Sequence, residues 1–589
     1  MFLNRVKWER YTSNLLNIKP YSILMMLFSL VAVVYAQVPV EPATLITIEL
    51  AVFFTTNWLE NNVPQARKCF STVMQKLGLA VATLIMAFSL AGSKCFVFPL
   101  NKPFTPHDFL AYFAVAVSMF PIATWALFHL VQLRPNSGCR QKTPRWLLVT
   151  CAAIFAASAL IYLVAFNPCI SSPDTLYCMN TALGSVFGLS NWHPAFYIIW
   201  LKLILTVWRS PYAVVGVQLL LFAIVLLRTI SLAYKKGVRE GWIICFTILL
   251  GLNCSTMVHL IAIWKDIPYT ICLLWTTVLI MTLLLDEGAR KSIGVCVELV
   301  IALVGVCFFR HNGIVTYILV SVVLVMLFFR NKRVLLAVAA ALGAVIFIRF
   351  PLYTALDTYT YTGGGKYVGL GQDILGVYYS GGDVSEEATD MIVTLTGGDL
   401  ENFDYSPYYA KSEYNLEVEI PQFVRVYMDT FLNNPVLMSR SILCRQDCLW
   451  NIFRGEEGIL GGVNFIWTVD NDSNWTENWP QREENTLTDL MSKYTSWTAS
   501  EQLTGALIWR AGIWLIVEIL ALIALAMKSK DKRLLCVAVP CAGHILSLLL
   551  STGWADFRYY WPVQLMSMLS VITVLVCTSK DACCEEKAE

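Results

Sequence analysis

Charge is scarce in this chain of 589 residues: Asp, Glu, Lys and Arg make up 14% of it, and hydrophobic residues 57%. The mean hydropathy of +0.60 excludes a soluble globular domain. Neither sign of charge dominates, because the formal net charge is only +2, and this balance disfavours nucleic-acid binding. Composition therefore indicates a polytopic membrane protein.

Nucleotide and metal motifs are missing as well. The sequence has no Gly-rich loop followed by Lys and Ser or Thr, no Gly-x-Gly-x-x-Gly after a strand pattern and no His-Glu-x-x-His. These absences disfavour nucleotide-driven transport and the use of cytosolic nucleotide sugars. No pattern calls for a cofactor, and a divalent metal is compatible with the sequence without being implied by it. The lack of an internal repeat weighs mildly against the common secondary-transporter plans.

Cysteine, in contrast, is abundant, with 18 residues. Most of them lie inside apolar segments, where cysteine behaves as a small hydrophobic residue. Two pairs, Cys169 with Cys178 and Cys444 with Cys448, fall in segments that we place outside the cytoplasm, where thiols can oxidise. The sequence leaves open whether either pair forms a disulfide.

Long apolar runs are the most frequent pattern in the chain. A run of roughly 17 to 25 residues is needed to cross the ~30 Å of hydrocarbon in a bilayer. We therefore expect an all-α polytopic membrane protein with about fourteen transmembrane helices. The runs lie near 20–36, 42–58, 77–97, 108–131, 146–166, 212–233, 240–263, 268–285, 294–309, 313–330, 334–350, 507–527, 533–551 and 558–577.

Basic residues set the expected orientation, since Lys and Arg are retained on the cytoplasmic side. Every second loop is basic, which predicts cytoplasmic N- and C-termini in the plasma membrane. Counting the apolar segment 193–208 as a span would invert everything downstream. We therefore expect it to lie along the outer surface as an amphipathic or re-entrant helix.

Four regions follow from this count. They are an N-terminal four-helix membrane region (1–132), a membrane core (133–350), an extracytoplasmic domain (351–506) and a C-terminal three-helix membrane region (507–589). The third region, inserted between late helices, is the only one with a soluble composition. Its Gly-rich turns, acids and aromatics predict mixed α/β structure, and it contains sequons at Asn471 and Asn474 that carry little weight alone.

Polar residues at the expected outer face are the candidate site. Asp174 follows Pro173 at the start of a helix and is either an N-cap or a general base that removes a proton from a hydroxyl. His193, before Pro194, is either a helix cap or a functional residue: one that orients a catalytic group or substrate, a metal ligand or a phosphate contact.

Four later residues share that face. Lys265 and Asp266 either anchor a helix at the interface, or bind a phosphate and a sugar hydroxyl respectively. Arg310 and Arg558 either snorkel to lipid headgroups or bind a lipid phosphate through the guanidinium fork. Asn312 and Tyr559, close to these arginines, are further candidates for substrate and donor binding.

The motif order resembles the GT-C superfamily of polytopic glycosyltransferases. The motifs are "SPD" and "HP-aromatic" in the first large outer loop, "KDIPY" in a later one, "RHNG" between two spans and "RYYWP" at the last helix. The resemblance is to the branch that contains protein O-mannosyltransferases and the bacterial lipid A aminoarabinose transferase. It covers roughly 146–350 and, more weakly, 507–577.

The resemblance assigns roles to single positions. Asp174 matches the family's catalytic base, and Asp266 its acid in the second outer loop. Arg310 falls where a basic residue lies near the lipid phosphate, and Arg558 with Tyr559 resembles a late "RY..P" element. His193 matches the start of a juxtamembrane helix. The chain departs from the family at "PDT" (173–175), where two consecutive acids are frequent, and at Ala195, where a second Pro is frequent.

The resemblance implies an inverting glycosyltransferase of the cell envelope. Its donor would be a polyprenyl-phosphate-linked sugar, and its acceptor a hydroxyl of a glycolipid, polysaccharide or protein. The alternative is a transporter or flippase of a lipid-linked saccharide, which should carry polar positions at the membrane midplane. The interior candidates His259, Glu298, Glu518 and His544 are scattered singly along the sequence.

Overall fold

The computed structural model describes residues 18–135, 138–184, 189–358, 367–410, 416, 418–453 and 485–577. In these residues the backbone forms helices and loops but no strand, and its only β pairings are two isolated bridges, Ile170 with Ala262 and Tyr409 with Trp554. Because many of the helices are apolar, the structure has the character of an all-α membrane protein.

The membrane regions before residue 356 contain fifteen labelled helices within the described residues. They are α1 (Pro20–Tyr35), α2 (Pro42–Asn61), α3 (Val63–Cys69), α4 (Val73–Gly92, extended by a π turn Ser93–Val97), α5 (Pro106–Gln132), α6 (Arg145–Ala165), α7 (Pro173–Ala182), α8 (Ala195–Val207), α9 (Pro211–Lys235), α10 (Glu240–Leu252), α11 (Cys254–Leu260), α12 (Asp266–Leu285), α13 (Ile293–Phe308), α14 (Gly313–Phe328) and α15 (Lys332–Phe347, continuing irregularly to Ala355).

Ten further helices follow in the described part of the chain. They are α16 (Val368–Tyr379), α17 (Glu386–Leu395), α18 (Ile420–Asn433), α19 (Pro435–Arg445), α20 (Asp447–Trp450), α21 (Thr486–Ser500), α22 (Gln502–Ile508), α23 (Gly512–Lys528), α24 (Val539–Ser551, preceded by a 3-10 turn Lys532–Ala538) and α25 (Phe557–Val576).

Several helices begin at the residues that favour a helix start. Proline occupies the first turn of α1, α2, α5, α7 and α9, where its missing N–H costs no hydrogen bond. Thr72 and Thr105 form capping boxes with Gln75 and Asp108, which satisfy backbone donors at the starts of α4 and α5. The residues at the starts of these helices therefore favour helix initiation by themselves.

Fewer helices meet the length and hydropathy needed to cross a membrane than the fourteen spans expected from the sequence. Among the described residues, eight helices are long and apolar enough to cross a membrane, and ten if each of two bent helix pairs is one span. Every one of the fourteen predicted runs does contain a helix, but α1, α13 and α14 have only 16 residues. The count of fourteen therefore stays a prediction, whereas the membrane class is supported.

The segment after Pro194 forms a helix of only 13 residues, α8. At 1.5 Å per residue it is about 20 Å long, which is too short to cross the hydrocarbon core. This length agrees with the prediction that 193–208 does not span.

Where the structure describes the 351–506 region, it consists of helices and loops. Helices α16 to α18 enclose a small apolar core of their own, centred on Ile374, Ile392 and Phe423. The predicted mixed α/β content is not confirmed, because no strand occurs among the described residues there. The sequons and the "TGGGK" turn (362–366) lie outside the described residues.

One apolar core joins the second and fourth regions. It runs from α6 through α12, which is buried along nearly its whole length, to α25. Of the four cysteines flagged in the sequence, Cys169, Cys178 and Cys448 are free thiols. The candidate site lies at the end of this core where α12 and α25 begin.

Candidate functional site

Asp174 is positioned by a pairing between two loops far apart in sequence. The backbone N–H of Ile170 donates to the carbonyl of Ile261 (3.2 Å), and the N–H of Ile263 donates to the carbonyl of Ile170 (3.1 Å). Thr175 then donates its hydroxyl to the carbonyl of Ile263 at 2.8 Å. These bonds hold the first turn of α7 beside the residues that lead into α12.

The helix α7 begins after Ser172, so Asp174 lies in its first turn and is not the N-cap. The indole N–H of Trp264 donates to the Ser172 hydroxyl at 2.8 Å. The N-cap interpretation of Asp174 is therefore wrong: Ser172 holds that position, which leaves the Asp174 carboxylate available for other contacts.

Lys265 lies between Asp174 and His193. Its ammonium is 3.3 Å from Asp174 Oδ2 and 2.9 Å from His193 Nδ1. The Lys265 charge, followed by that of Arg558, holds the pKa of Asp174 well below its usual range, although burial opposes this. Burial, together with the Lys265 charge, lowers the pKa of His193 to about 3. At neutral pH His193 is therefore an uncharged acceptor for the Lys265 ammonium.

Lys265 keeps its charge in this setting. Burial alone would lower the pKa of Lys265, but the carboxylates of Asp174 and Asp266 outweigh it and raise that pKa. An ammonium held between a carboxylate and a neutral imidazole is a fixed positive centre, which suits it to an anionic ligand.

A second group of charges adjoins the first. Asp266 is buried at the start of α12, with Arg310 Nη1 2.9 Å from its Oδ1 and Arg558 Nε 3.6 Å from its Oδ2. Arg558 also reaches Asp174, with Nη1 3.5 Å from Oδ2. Arg558 therefore links the two carboxylates into one network.

These ion pairs are close but incompletely hydrogen-bonded. Neither oxygen of Asp266 receives a hydrogen bond of acceptable geometry, and neither Arg310 Nη1 nor Arg558 Nε donates one. Buried polar atoms are nearly always hydrogen-bonded in folded proteins. This cluster therefore has hydrogen-bonding capacity that its own side chains do not use.

Aromatic rings flank the arginines. The Arg310 guanidinium lies 4.7 Å from the ring centroid of Tyr559, and that of Arg558 lies 4.8 Å from the same ring and 5.3 Å from Trp264. Arg558 also donates to the Tyr559 hydroxyl at 2.7 Å. Such contacts stabilise a cation in a partly desolvated place.

The turn that carries Arg310 is tight. The N–H of Gly313 donates to the carbonyl of Arg310 at 3.1 Å, and a Cβ on Gly313 would lie 2.0 Å from the carbonyl oxygen of Val306. Only glycine fits where α14 begins so close to α13. His311 Nε2 is 3.2 Å from the carbonyl oxygen of Trp192, which ties this turn to the segment before α8.

Seven of the eight candidate residues from the sequence are joined through these contacts: Asp174, His193, Lys265, Asp266, Arg310, Arg558 and Tyr559. The side chain of the eighth, Asn312, instead donates to the Ser547 hydroxyl at 3.2 Å, outside this group. We call the seven residues the charged cluster.

Sequence reasoning missed the aromatic residues around the charged cluster and undervalued Asp556. Trp264 and Tyr269 flank "KDIP" and could have been suspected, because aromatic residues concentrate at membrane interfaces. Asp556 Oδ1 accepts the N–H of Arg558 at 2.8 Å and caps α25, and burial raises its pKa. Arg558 is therefore fixed at its backbone as well as at its side chain.

The charged cluster and Asp556 together contain equal numbers of basic and acidic side chains. The basic ones are Lys265, Arg310 and Arg558, and the acidic ones are Asp174, Asp266 and Asp556. Among the residues that the structure describes, no group of three His, Cys, Asp or Glu side chains could hold a metal ion. The group's donors are instead cationic, which fits a phosphate better than a metal.

Comparison with known proteins adds no relative: no family model, no curated protein and no solved structure matches the chain. The charged cluster and the apolar helices around it are therefore the features that bear on function.

Proposed function

We propose that the chain is a membrane glycosyltransferase of the GT-C type, which moves a sugar from a polyprenyl-phosphate carrier to an acceptor hydroxyl with inversion at the anomeric carbon. One observation carries the proposal. Asp174 Oδ2 is 3.3 Å from the Lys265 ammonium and 3.5 Å from the Arg558 guanidinium. A carboxylate base and two cations that suit a phosphate thus meet at one point, where apolar helices end.

The cations would bind the donor phosphate. Arg310 and Arg558 offer planar forks, which match phosphate oxygens, and Lys265 offers a point charge. As the bond to the sugar breaks, negative charge grows on the leaving phosphate, and fixed cations nearby stabilise that charge.

Asp174 would act as the base. The acceptor hydroxyl gives its proton to Asp174, the hydroxyl oxygen forms a bond to the anomeric carbon, and the bond from that carbon to the phosphate oxygen breaks. The electron pair of the broken bond leaves with the phosphate. No nucleotide is consumed, because the lipid-linked bond supplies the free energy.

Donor binding would also strengthen the base. Without donor, Lys265 and Arg558 keep Asp174 ionised but weakly basic, since its pKa is held low. A bound phosphate competes for the same two cations, so the pKa of Asp174 rises towards a value that suits proton transfer. The base thus becomes effective only once the donor is in place.

The remaining residues would position these groups. Asp266 forms ion pairs with the guanidinium groups of Arg310 and Arg558, and neutral His193 accepts a hydrogen bond from Lys265. The acceptor would be a hydroxyl of a glycolipid, polysaccharide or protein on the extracytoplasmic face of the plasma membrane.

A transporter or flippase of a lipid-linked saccharide would use the charged cluster for binding only. Three of the four interior candidates have separate partners: His259 bonds the Ser255 carbonyl at 2.6 Å, and Glu298 accepts the Trp275 indole N–H at 3.1 Å. His544 contacts Tyr269 and the Tyr559 carbonyl. These contacts join none of the three to another, which favours the enzyme. The fourth candidate, Glu518, is buried on α23, and neither of its carboxylate oxygens accepts a hydrogen bond of acceptable geometry.

The test is the release of free polyprenyl phosphate from a labelled polyprenyl-phosphate sugar, measured with and without acceptor in reconstituted vesicles. Asp174→Asn should lower acceptor-dependent release by roughly 10²–10⁴-fold, the usual contribution of a general base. Asp390→Asn, an exposed carboxylate on α17, is the matched control and should leave release unchanged. Undiminished release by a folded Asp174→Asn protein would sink the assignment, and donor movement without release would favour the transporter.

A further inference from the structure

Helix α18 (Ile420–Asn433), outside the charged cluster, is apolar on two faces. Phe423 and Val426 on one face are buried in the core of the 351–506 region. Large apolar side chains recur at every fourth position on another face and are 48–71% exposed: Ile420, Val424, Met428 and Leu432. Because residues four apart share one side of a helix, these four form a single exposed stripe.

The basic residue next to the stripe is paired within the protein. Arg425, one residue after Val424, pairs with Glu387 of α17 at 2.8 Å. The four side chains of the stripe are themselves all apolar. An exposed apolar surface of this kind marks a place where a soluble protein, or a lipid surface, is bound.

The contacts of α19, the helix after α18, show where this part of the chain lies relative to the ends of the membrane spans. Arg440 of α19 donates to the carbonyl oxygens of Phe96 and Leu100, both at 2.7 Å, at the end of the span that contains α4. Arg445, also of α19, donates to the carbonyl of Leu549 at 3.1 Å, near the end of α24. The helix α19 therefore lies where two spans end.

The stripe also leads towards a surface that faces lipid. Val436, in the first turn of α19, is exposed, and the Arg440 guanidinium lies 4.4 Å from the ring centroid of Phe104. Phe104 is itself exposed and packs near Phe109 at the start of the span α5. Along α5 the exposed side chains are apolar: Leu110, Phe113 and Val117.

We propose that α18 lies in the lipid headgroup interface, with Ile420, Val424, Met428 and Leu432 against the acyl chains. The continuity with the lipid-facing side of α5 favours a lipid surface over a second protein. A helix with an apolar stripe and a polar remainder binds a bilayer in this way. It holds the 351–506 region against the membrane, and this proposal is independent of the glycosyltransferase assignment.

The test uses the full chain in nanodiscs that contain a phospholipid with a photoreactive group in its acyl chain. After irradiation, mass spectrometry locates the labelled peptides. The peptide 420–436 should be labelled several-fold more than α17 (Glu386–Leu395), which belongs to the same region. Equal labelling of the two peptides would overturn the proposal, and so would weaker labelling of 420–436 than of α17.

A pair of neighbouring substitutions sharpens the result. Leu432→Glu places a charge in the stripe and should reduce lipid labelling of 420–436 several-fold, whereas Asn433→Glu places it beside the stripe and should not. Both positions are exposed, so neither change disturbs the core. Equal labelling of the two variants would contradict the proposal. The wild-type pattern decides the question by itself if either variant fails to fold.

Discussion

Aspartate and arginine meet at several places in the described part of the chain, and two of these places differ in how fully their hydrogen bonds are satisfied. Asp373 and Arg445 are both fully buried, and the guanidinium fork donates from Nε and Nη2 to the two carboxylate oxygens at 2.8 and 2.7 Å. Arg445 also donates to the carbonyls of Leu549 and Thr552, and Tyr427 donates to Asp373 at 2.9 Å. We call this set the buried lock.

Asp266 in the charged cluster has two arginines within 4 Å, yet it accepts no hydrogen bond of acceptable geometry. The buried lock leaves no capacity for a ligand and joins α16, α19 and the end of α24. The charged cluster keeps such capacity and lies where several helices end. The difference teaches that saturation of hydrogen bonds, and not the presence of an ion pair, separates a structural pair from a candidate binding site.

The same substitution at both places tests this comparison, and the largest effect is expected at the buried lock. Arg445→Lys keeps the charge but loses the fork, and with it at least two charge-assisted hydrogen bonds of roughly 1.5–3 kcal/mol each. We expect the free energy of unfolding to fall by about 3 kcal/mol, seen as a lower thermal midpoint in nanodiscs. Donor affinity of the folded fraction should not change. An unchanged midpoint would show that the lock is not structural.

Arg310→Lys should have the opposite profile. Its Nη1 contact with Asp266 lacks hydrogen-bond geometry, so the free energy of unfolding should stay within about 1 kcal/mol of the wild type. Donor affinity should fall about tenfold, since lysine cannot bind phosphate oxygens with a planar fork. Binding of a fluorescent polyprenyl-phosphate analogue measures the affinity. A stability loss as large as that of Arg445→Lys would erase the distinction between the two places.

The smallest effect concerns pH. His193 has its pKa lowered to about 3 by burial, so the unfolded state binds more protons than the folded state between that value and about 6.5. Stability therefore rises with pH across this window and is lost on acidification. His193→Gln keeps an acceptor for Lys265. On acidification from pH 6 to pH 5, the free energy of unfolding of the variant should therefore fall by about 1 kcal/mol less than that of the wild type. Thermal midpoints of the two proteins at both pH values measure this difference, and an equal pH dependence would exclude a buried neutral His193.

The membrane class and the helix positions were within reach of the sequence. Apolar runs predict helices because each backbone polar group must be satisfied within its own segment in lipid. The 13-residue α8 was excluded as a span by charge counting alone, without its length. The secondary structure of 351–506 was harder to predict from the sequence, since acids, glycines and aromatics are compatible with helices or strands.

Sequence motifs named most of the charged cluster but could not supply its geometry. Asp174 and Arg558 are nearly 400 residues apart, and their contact depends on how α7, α12 and α25 pack. Asn312 was chosen for its neighbours in sequence, yet its side chain turns to Ser547. Residue type indicates what a side chain can do, whereas tertiary packing decides which side chains meet.

The pairing of Ile170 with the segment 261–263 makes the position of Lys265 depend on register. An insertion after this pairing shifts every following side chain by one position. Inserting a single residue between Ala262 and Lys265 would therefore move Trp264 into the place of Lys265 beside Asp174. Two backbone hydrogen bonds between uncharged residues thus determine which side chain becomes the counterion of Asp174.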